Sequence, residues 1–377
     1  METNLDQGDC GPLVEQPISL IRSTPPTPQW LGEALIEVLR DIENSGNIAT
    51  LLRYHTFSGS EADRSTASLW LEERFGQRVD PGRIIVTNGT QSALFLTLRT
   101  VVGAGNHILT EDLSYYGFRR LAALLGITAT GVAMDANGAI PEAFDKACRQ
   151  HPPRAIFLQP TLHNPTAIIM STERRKALAE VARRHGVAII EDDVYGSLPS
   201  LAPPPVAAIA PELTWFATGP AKCMGPGLRI GYLVAPSEEE AKHATSAFDT
   251  ISTWHTNPLS AAIMERWVAN GTLMRVRNAV RAEIAERQKI ARKQLAGLDF
   301  STHPESVYLW LALPTGLDQE ALLSSLLKKG VVLRSGEMFL VDPKRRAGRV
   351  RVVVGSPETR TELQTALSII RSELSPA

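Results

Sequence analysis

Val187-Ala188-Ile189-Ile190-Glu191-Asp192-Asp193-Val194-Tyr195 decides the fold. Four apolar residues without polar alternation read as a strand covered on both faces. Three carboxylates follow at once, so that strand stops at a polar rim. Working outward, Thr172 to His185 reads as a helix, and Ala155-Ile156-Phe157-Leu158 as a second apolar strand followed by a Pro-rich loop. His107-Ile108-Leu109 leads into Glu111-Asp112 and a helix near Gly117 to Leu125. Ile84-Ile85-Val86 leads into Thr87-Asn88-Gly89-Thr90 and a helix from about Gln91. Strand, turn and helix in alternation predict an α/β fold with a mostly parallel sheet flanked by helices. Ligands in such sheets bind at the carboxyl ends of the strands, and the polar motifs fall there.

The flanks differ. Thr24-Pro25-Pro26-Thr27-Pro28 excludes regular helix or central strand. Trp30 to Asn44 and Thr66 to Phe75 read as helices. After Pro258 come a long charged helix from Thr272 to about Leu295, strands at Val307 to Leu313, Val331 to Leu333 and Val350 to Val354, and a closing helix from Glu358 to Leu374. The expected division is an N-terminal arm and helix (1–44) associated with a small domain, a large ligand-binding domain (45–257), and a small α+β domain (258–377).

A chain of 377 residues, 44% apolar and 21% charged, suits a large globular core. The formal net charge of −1, with no long basic run, argues against nucleic acid or an anionic membrane as main partner. Cys10, Cys148 and Cys223 are distant and odd in number, so neither a disulfide framework nor a metal cluster is expected. The sequence shows no signal-peptide pattern and no membrane-length apolar run. A cytoplasmic location is expected.

Ala221-Lys222-Cys223-Met224-Gly225-Pro226-Gly227-Leu228-Arg229 sets an amine seven residues before a permanent anion binder. That pair suits a cofactor bearing an aldehyde and a phosphate, as pyridoxal phosphate does. Asp192, at a strand end, could pair with a protonated pyridine nitrogen and keep the ring an electron sink. Tyr195 and Asn164 could donate to a phenolic oxygen. Gly89-Thr90-Gln91, between strand and helix, offers backbone N–H groups to a phosphate, and Arg229 could add two parallel hydrogen bonds. Tyr115 could stack on a ring. Arg351 shares a strand face with Arg349 and could bind a carboxylate bidentately. Taken singly, each has a bland alternative: a solvated strand end, a turn, a helix cap, a core aromatic, an edge-strand charge.

In this order and spacing the motifs resemble class I/II aminotransferases of the pyridoxal-phosphate fold type I superfamily. The likeness is to the aminoadipate/kynurenine branch and to the aminotransferase-like half of MocR regulators. The resemblance implies a seven-stranded-type sheet, Lys222 as Schiff-base lysine, and Asp192 on the pyridine nitrogen. It also implies Tyr195 and Asn164 on the phenolic oxygen, Tyr115 on the ring, and Gly89, Thr90, Gln91 and Arg229 on the phosphate. Arg351 would take the substrate α-carboxylate. Tyr54 would reach the neighbouring subunit's phosphate, implying a homodimer with shared sites. The implied reaction is ping-pong transfer of an amino group between an L-amino acid and a 2-oxo acid. Other pyridoxal-phosphate chemistry (lyase, decarboxylase, oxidase) and a cofactor-binding regulatory module are the alternatives. For the last, the stretch before the first motif is short for a winged helix-turn-helix.

Four positions depart from the family pattern: Gly219 for a phosphate-binding serine, Ala167 for glycine after Asn-Pro-Thr, Leu113 for proline, and Glu305-Ser306 for Gly-Gly. Thr218 is the candidate to replace the serine hydroxyl, whose loss costs about 1 kcal/mol. Arg22 is the candidate for a polar or acidic substrate side chain, with Trp254, His255 and Asn257 as further candidates for the pocket wall.

Overall fold

The computed structural model describes residues 17–46, 48–53, 56–248 and 256–374. Tyr54, Trp254 and His255 lie outside the described residues.

Seven strands form the main sheet: β1 (Ile84–Thr87), β2 (His107–Glu111), β3 (Thr128–Val132), β4 (Ala155–Leu158), β5 (Ala188–Asp192), β6 (Thr214–Thr218) and β7 (Gly231–Val234). Their order is β1-β7-β6-β5-β4-β2-β3. Every pairing is parallel except those of β7, which runs antiparallel to both β1 and β6. Helices cover both faces, as the unbroken apolar strands require. The helix Thr172–His185 buries Leu178, Ala179, Val181 and Ala182 on one core, while Thr90–Thr97 buries Ala93, Leu94 and Leu96 on another.

The decisive strand runs two residues further than its apolar stretch, so Glu191 and Asp192 lie inside the sheet. Glu191 survives burial because the backbone N–H groups of Val206 (3.0 Å) and Ala207 (2.8 Å) donate to it. The next carboxylate, Asp193, is paired with Arg74 at 2.7 Å. The fully buried Arg175 donates to the carbonyls of Met170, Pro204 and Pro160, fixing the Pro-rich loops around the site.

A second sheet has order β8-β9-β11-β10, from β8 (Phe300–Thr302), β9 (Tyr308–Ala312), β10 (Arg334–Ser335) and β11 (Arg349–Val353). The N-terminal segment joins this part of the molecule: Ile18–Ser19 pairs parallel with Val331–Val332, and Leu20 O accepts from Val353 N at 3.1 Å. The same segment then continues across the end of the main sheet.

The helix expected from Thr66 begins at Glu61. Ser60 and Asp63 form a reciprocal capping box there, with bonds of 3.1 and 2.8 Å. The helix expected from Gln91 begins at Thr90, behind Gly89 at φ +89°.

Candidate active site

The carboxyl ends of β4 and β5, the turn after β6 and the start of the helix Thr90–Thr97 meet in a cavity of about 470 Å³. Lys222, Asp192, Tyr195, Asn164, Arg229 and Arg351 line it. So do Gly89, Thr90, Gln91, Tyr115 and Arg22. Among the described residues of its wall, four cationic side chains (Arg22, Lys222, Arg229, Arg351) face one carboxylate, Asp192. An anionic ligand would find a complementary field there.

Lys222 ends the short 3-10 turn Pro220–Lys222 after β6. Its Nζ donates to Ser23 O at 2.9 Å and lies 5.8 Å from the Tyr195 ring centre. Burial pulls its pKa down to about 8, helped by the nearby guanidinium of Arg351 and opposed by Asp192. A lysine so shifted is a far better nucleophile near neutral pH than an ordinary one.

Asp192 is 2% exposed. Its Oδ2 accepts from Gln159 Nε2 at 2.8 Å and its Oδ1 from Val194 N at 3.3 Å. Burial raises its pKa to about 7, against those hydrogen bonds and Lys222. A cationic ring nitrogen would restore the anion. Burial also raises the phenol of Tyr195, and that of Tyr115 to about 12, so both remain hydrogen-bond donors across the physiological range.

At the opposite end, three glycines crowd together. A Cβ on Gly231 would come within 2.6 Å of Gly89 C and Thr90 N. One on Gly219 would lie 3.0 Å from Ile230 O and 3.3 Å from Thr90 Oγ1. A serine at 219 would therefore have to displace its neighbours. Thr90 Oγ1 is buried with no partner, at the first residue of a helix whose N–H groups face the same cavity wall. Arg229, held at φ +48°, packs its Nη2 so closely that a Cβ on Gly89 would approach within 2.9 Å. An orphaned hydroxyl, free helix N–H groups and a guanidinium at one end, and a carboxylate at the other, fit the phosphate and the pyridine nitrogen of pyridoxal phosphate.

Arg351 emerges from β11 and is 2% exposed. Its Nη1 donates to Asn164 Oδ1 at 2.7 Å and its Nη2 to Ile21 O at 2.5 Å, while Nε has no partner. The first bond leaves Asn164 Nδ2 free to donate elsewhere. Arg349 shares the strand face but pairs with Asp299 at 2.7 Å, so Arg351 alone reaches the cavity.

Two candidates fall elsewhere. Thr218 is absent from the cavity wall; its Oγ1 donates to Asp193 O at 3.1 Å, and it lines a separate pocket of about 140 Å³. Thr90, not Thr218, supplies the hydroxyl near position 219. Asn257 caps the helix Pro258–Ala269 by accepting from Ser260 N at 3.1 Å. The other departures are accommodated locally. Ala167 takes φ +61°, a conformation that favours glycine. Leu113 O accepts from His163 at 3.0 Å. Glu305 accepts from Ser200 N at 2.9 Å.

Sequence reasoning missed Gln159 and the buried pair behind it. Gln159 N donates to Glu111 Oε2 at 2.9 Å, and His163 Nε2 stands 3.5 Å from the same oxygen. Burial lifts Glu111 to about 8 and drops His163 to about 4, so at pH 7 both are neutral and no ion pair forms. His163 Nε2 then donates to Leu113 O and Nδ1 accepts from Thr166 Oγ1 at 2.8 Å. A polar residue immediately after the apolar Ala155–Leu158 was the available signal for Gln159.

The family model of class I and II aminotransferases matches residues 23–369, and the chain belongs to this family. It is 26% identical over 317 residues to an uncharacterized HTH-type transcriptional regulator, YdeF of Bacillus subtilis, covering 83% of this chain and 68% of that protein. It is 26% identical over 324 residues to the 2-aminoadipate transaminase of Thermus thermophilus, covering 82% and 78%. The kynurenine aminotransferase of Pyrococcus horikoshii has the same fold, with TM-score 0.85 at 22% identity over 96% of this chain and 93% of that one. The chain spans 58% and 56% of the length of two further HTH-type relatives, YdcR of Escherichia coli and YdfD of Bacillus subtilis.

Proposed function

We propose that this protein is a pyridoxal-phosphate-dependent aminotransferase that moves an amino group between an L-amino acid and a 2-oxo acid by a ping-pong reaction. The observation that carries this reading is one half-buried amine, Lys222, set in a cationic cavity between a carboxylate and an unsatisfied anion cradle. Pyridoxal phosphate would supply an aldehyde that condenses with amines and a ring that accepts electrons from the substrate's α-carbon.

The chain's own residues divide the remaining work. Thr90, Gln91 and Arg229 hold the phosphate, with Gly89 leaving room for it. Asp192 holds a proton at the ring nitrogen. Tyr195 and Asn164 donate to the phenolic oxygen, and Tyr115 covers the ring. Lys222 Nζ would be the amine that holds the aldehyde before substrate arrives and, once free, the base that takes the proton from the substrate α-carbon and carries it. Arg351 orients the α-carboxylate and gives up its contact with Ile21 O to do so. Arg22, exposed at the cavity mouth, is the cation left for a second anionic group on the substrate.

The test is a half-reaction screen: the cofactor-loaded protein is mixed with a panel of amino acids and loss of the cofactor's absorbance is followed. Acidic amino acids should react fastest, and Arg22→Ala should raise their KM about tenfold while sparing aliphatic ones. Lys222→Ala retaining full turnover would overturn the assignment. The likeness to HTH-type regulators supports a second reading, a ligand-sensing module. It predicts that amino acids bind without 2-oxo acid being released.

A homodimer with shared sites is part of the proposal. Leu52 (86% exposed) and Ile48 (45% exposed) lie on the helix Ile48–Arg53, just before Tyr54, and offer an apolar face to a second copy. Sedimentation should report twice the chain mass.

A further inference from the structure

We propose that Gln159 is a positioning residue that holds the Asp192 carboxylate as an anion aimed into the cavity, and that it does so with a group that cannot itself exchange a proton. The inference rests on the reading that this cavity takes pyridoxal phosphate.

Gln159 is the first residue after β4, the strand between β5 and β2 in the sheet. From there it reaches both neighbours. Its side chain donates to Asp192 Oδ2 at 2.8 Å on one side, and its backbone donates to Glu111 Oε2 at 2.9 Å on the other. Among the described residues the other donor to Asp192 is Val194 N, at a longer 3.3 Å. The amide is therefore the shorter of the two bonds that fix this carboxylate.

The orientation of the amide is determined by Asp192. Gln159 is 2% exposed, and its Oε1 is buried without a partner. Turned over, Oε1 would face a carboxylate oxygen, acceptor against acceptor. The unsatisfied Oε1 is accepted because the charge-assisted bond on the other end is worth more. A glutamine donates but neither gains nor loses a proton. Among the described residues, the charged or titratable groups coupled to Asp192 are Lys222, Asp193, Tyr115, Tyr195 and Tyr308. Glu111, on the far side of Gln159, is neutral at pH 7 and adds no competing negative charge. Gln159 thus fixes Asp192 without itself offering a further site to a proton placed between Asp192 and a ring nitrogen.

The experiment measures two quantities in wild type, Gln159→Leu, Gln159→His and Gln159→Asn. One is the dissociation constant for pyridoxal phosphate, by absorbance titration of the apoprotein. The other is the pH at which the bound cofactor's absorbance changes. Gln159→Leu should weaken binding about tenfold or more, the worth of a hydrogen bond to a charged group. It should also move the absorbance transition upward by about half a pH unit or more, because a less anionic Asp192 leaves the ring less often cationic. Gln159→His, which keeps a donor, should recover most of both. Gln159→Asn, which keeps the amide but falls short by one methylene, should behave like leucine and serves if the leucine variant does not fold. An unchanged titration in the leucine or asparagine variant, or failure of histidine to rescue, overturns the inference. Failure of the wild type to take up the cofactor overturns the underlying reading instead.

Discussion

Two residues illustrate how function and stability are traded in this site. Ala167 follows the site loop Asn164-Pro165-Thr166 at φ +61°, where an alanine is strained and a glycine is not. Ala167→Gly should raise stability by about 0.5–1 kcal/mol, measured as a shift of the urea midpoint at constant slope. Glu111 works through pH. Its carboxyl, ordinarily near 4.5, titrates at about 8 in the folded protein, chiefly because it is buried. The folded state therefore keeps a proton that the unfolded chain has already lost. This contribution is full below about 4.5 and is lost as pH rises to about 8, at a slope of at most about 1.4 kcal/mol per pH unit. Asp192, raised to about 7, adds to the same trend in the apoprotein. Glu111→Gln should flatten the dependence between pH 5 and 8, visible in melts across that range. A steeper dependence in the variant would contradict the assignment.

At the scale of elements, the legible part was the apolar centre of the sheet. β1, β2, β4 and β5 announce themselves by short apolar runs, and the helix Thr172–His185 falls where its periodicity puts it. The hydropathy pattern did not single out β6 (Thr-Trp-Phe-Ala-Thr) or β7 (Gly-Tyr-Leu-Val). Both are short, and β7 opens on a glycine beside the site motif. The helices Pro141–Gln150 and Gln319–Lys328 also lie outside the sequence reading; each buries only two residues. The start of Glu61–Phe75 was misplaced by five residues because its signal is polar: a capping box, not a hydrophobic period. That box gives a direct test. Ser60→Ala removes the bond to Asp63 N and should destabilise the protein by about 1 kcal/mol. Of the cavity wall, Lys222, Asp192, Tyr195, Asn164, Arg229 and Arg351 were legible by motif. Thr218, offered for the hydroxyl missing at Gly219, lines a different pocket, and Gln159 was not legible because its side chain bonds Asp192 behind the motif.

Across the whole molecule, the N-terminal segment ties the two sheets. It pairs with Val331–Val332, then presents Ile21 O to Arg351 and Ser23 O to Lys222. Both carbonyls occupy the groups proposed for substrate and cofactor, so ligand binding must compete with contacts the chain makes to itself. Apoprotein saturated with pyridoxal phosphate at a hundredfold excess over Kd should gain about 2.7 kcal/mol, read as a concentration-dependent rise in Tm. No rise would mean the cofactor does not select the folded state. The single reversed strand, β7, has a geometric result of another kind. Because β6 runs one way and β7 the other, a loop leaving β6 and entering β7 begins and ends on the same rim. Lys222 and Arg229 both sit on that loop and are anchored to one sheet, whereas Arg351 belongs to the other. A molecule gripped by Lys222 and Arg229 is measured against a single rigid frame. One gripped by Lys222 and Arg351 is held from two different sheets at once.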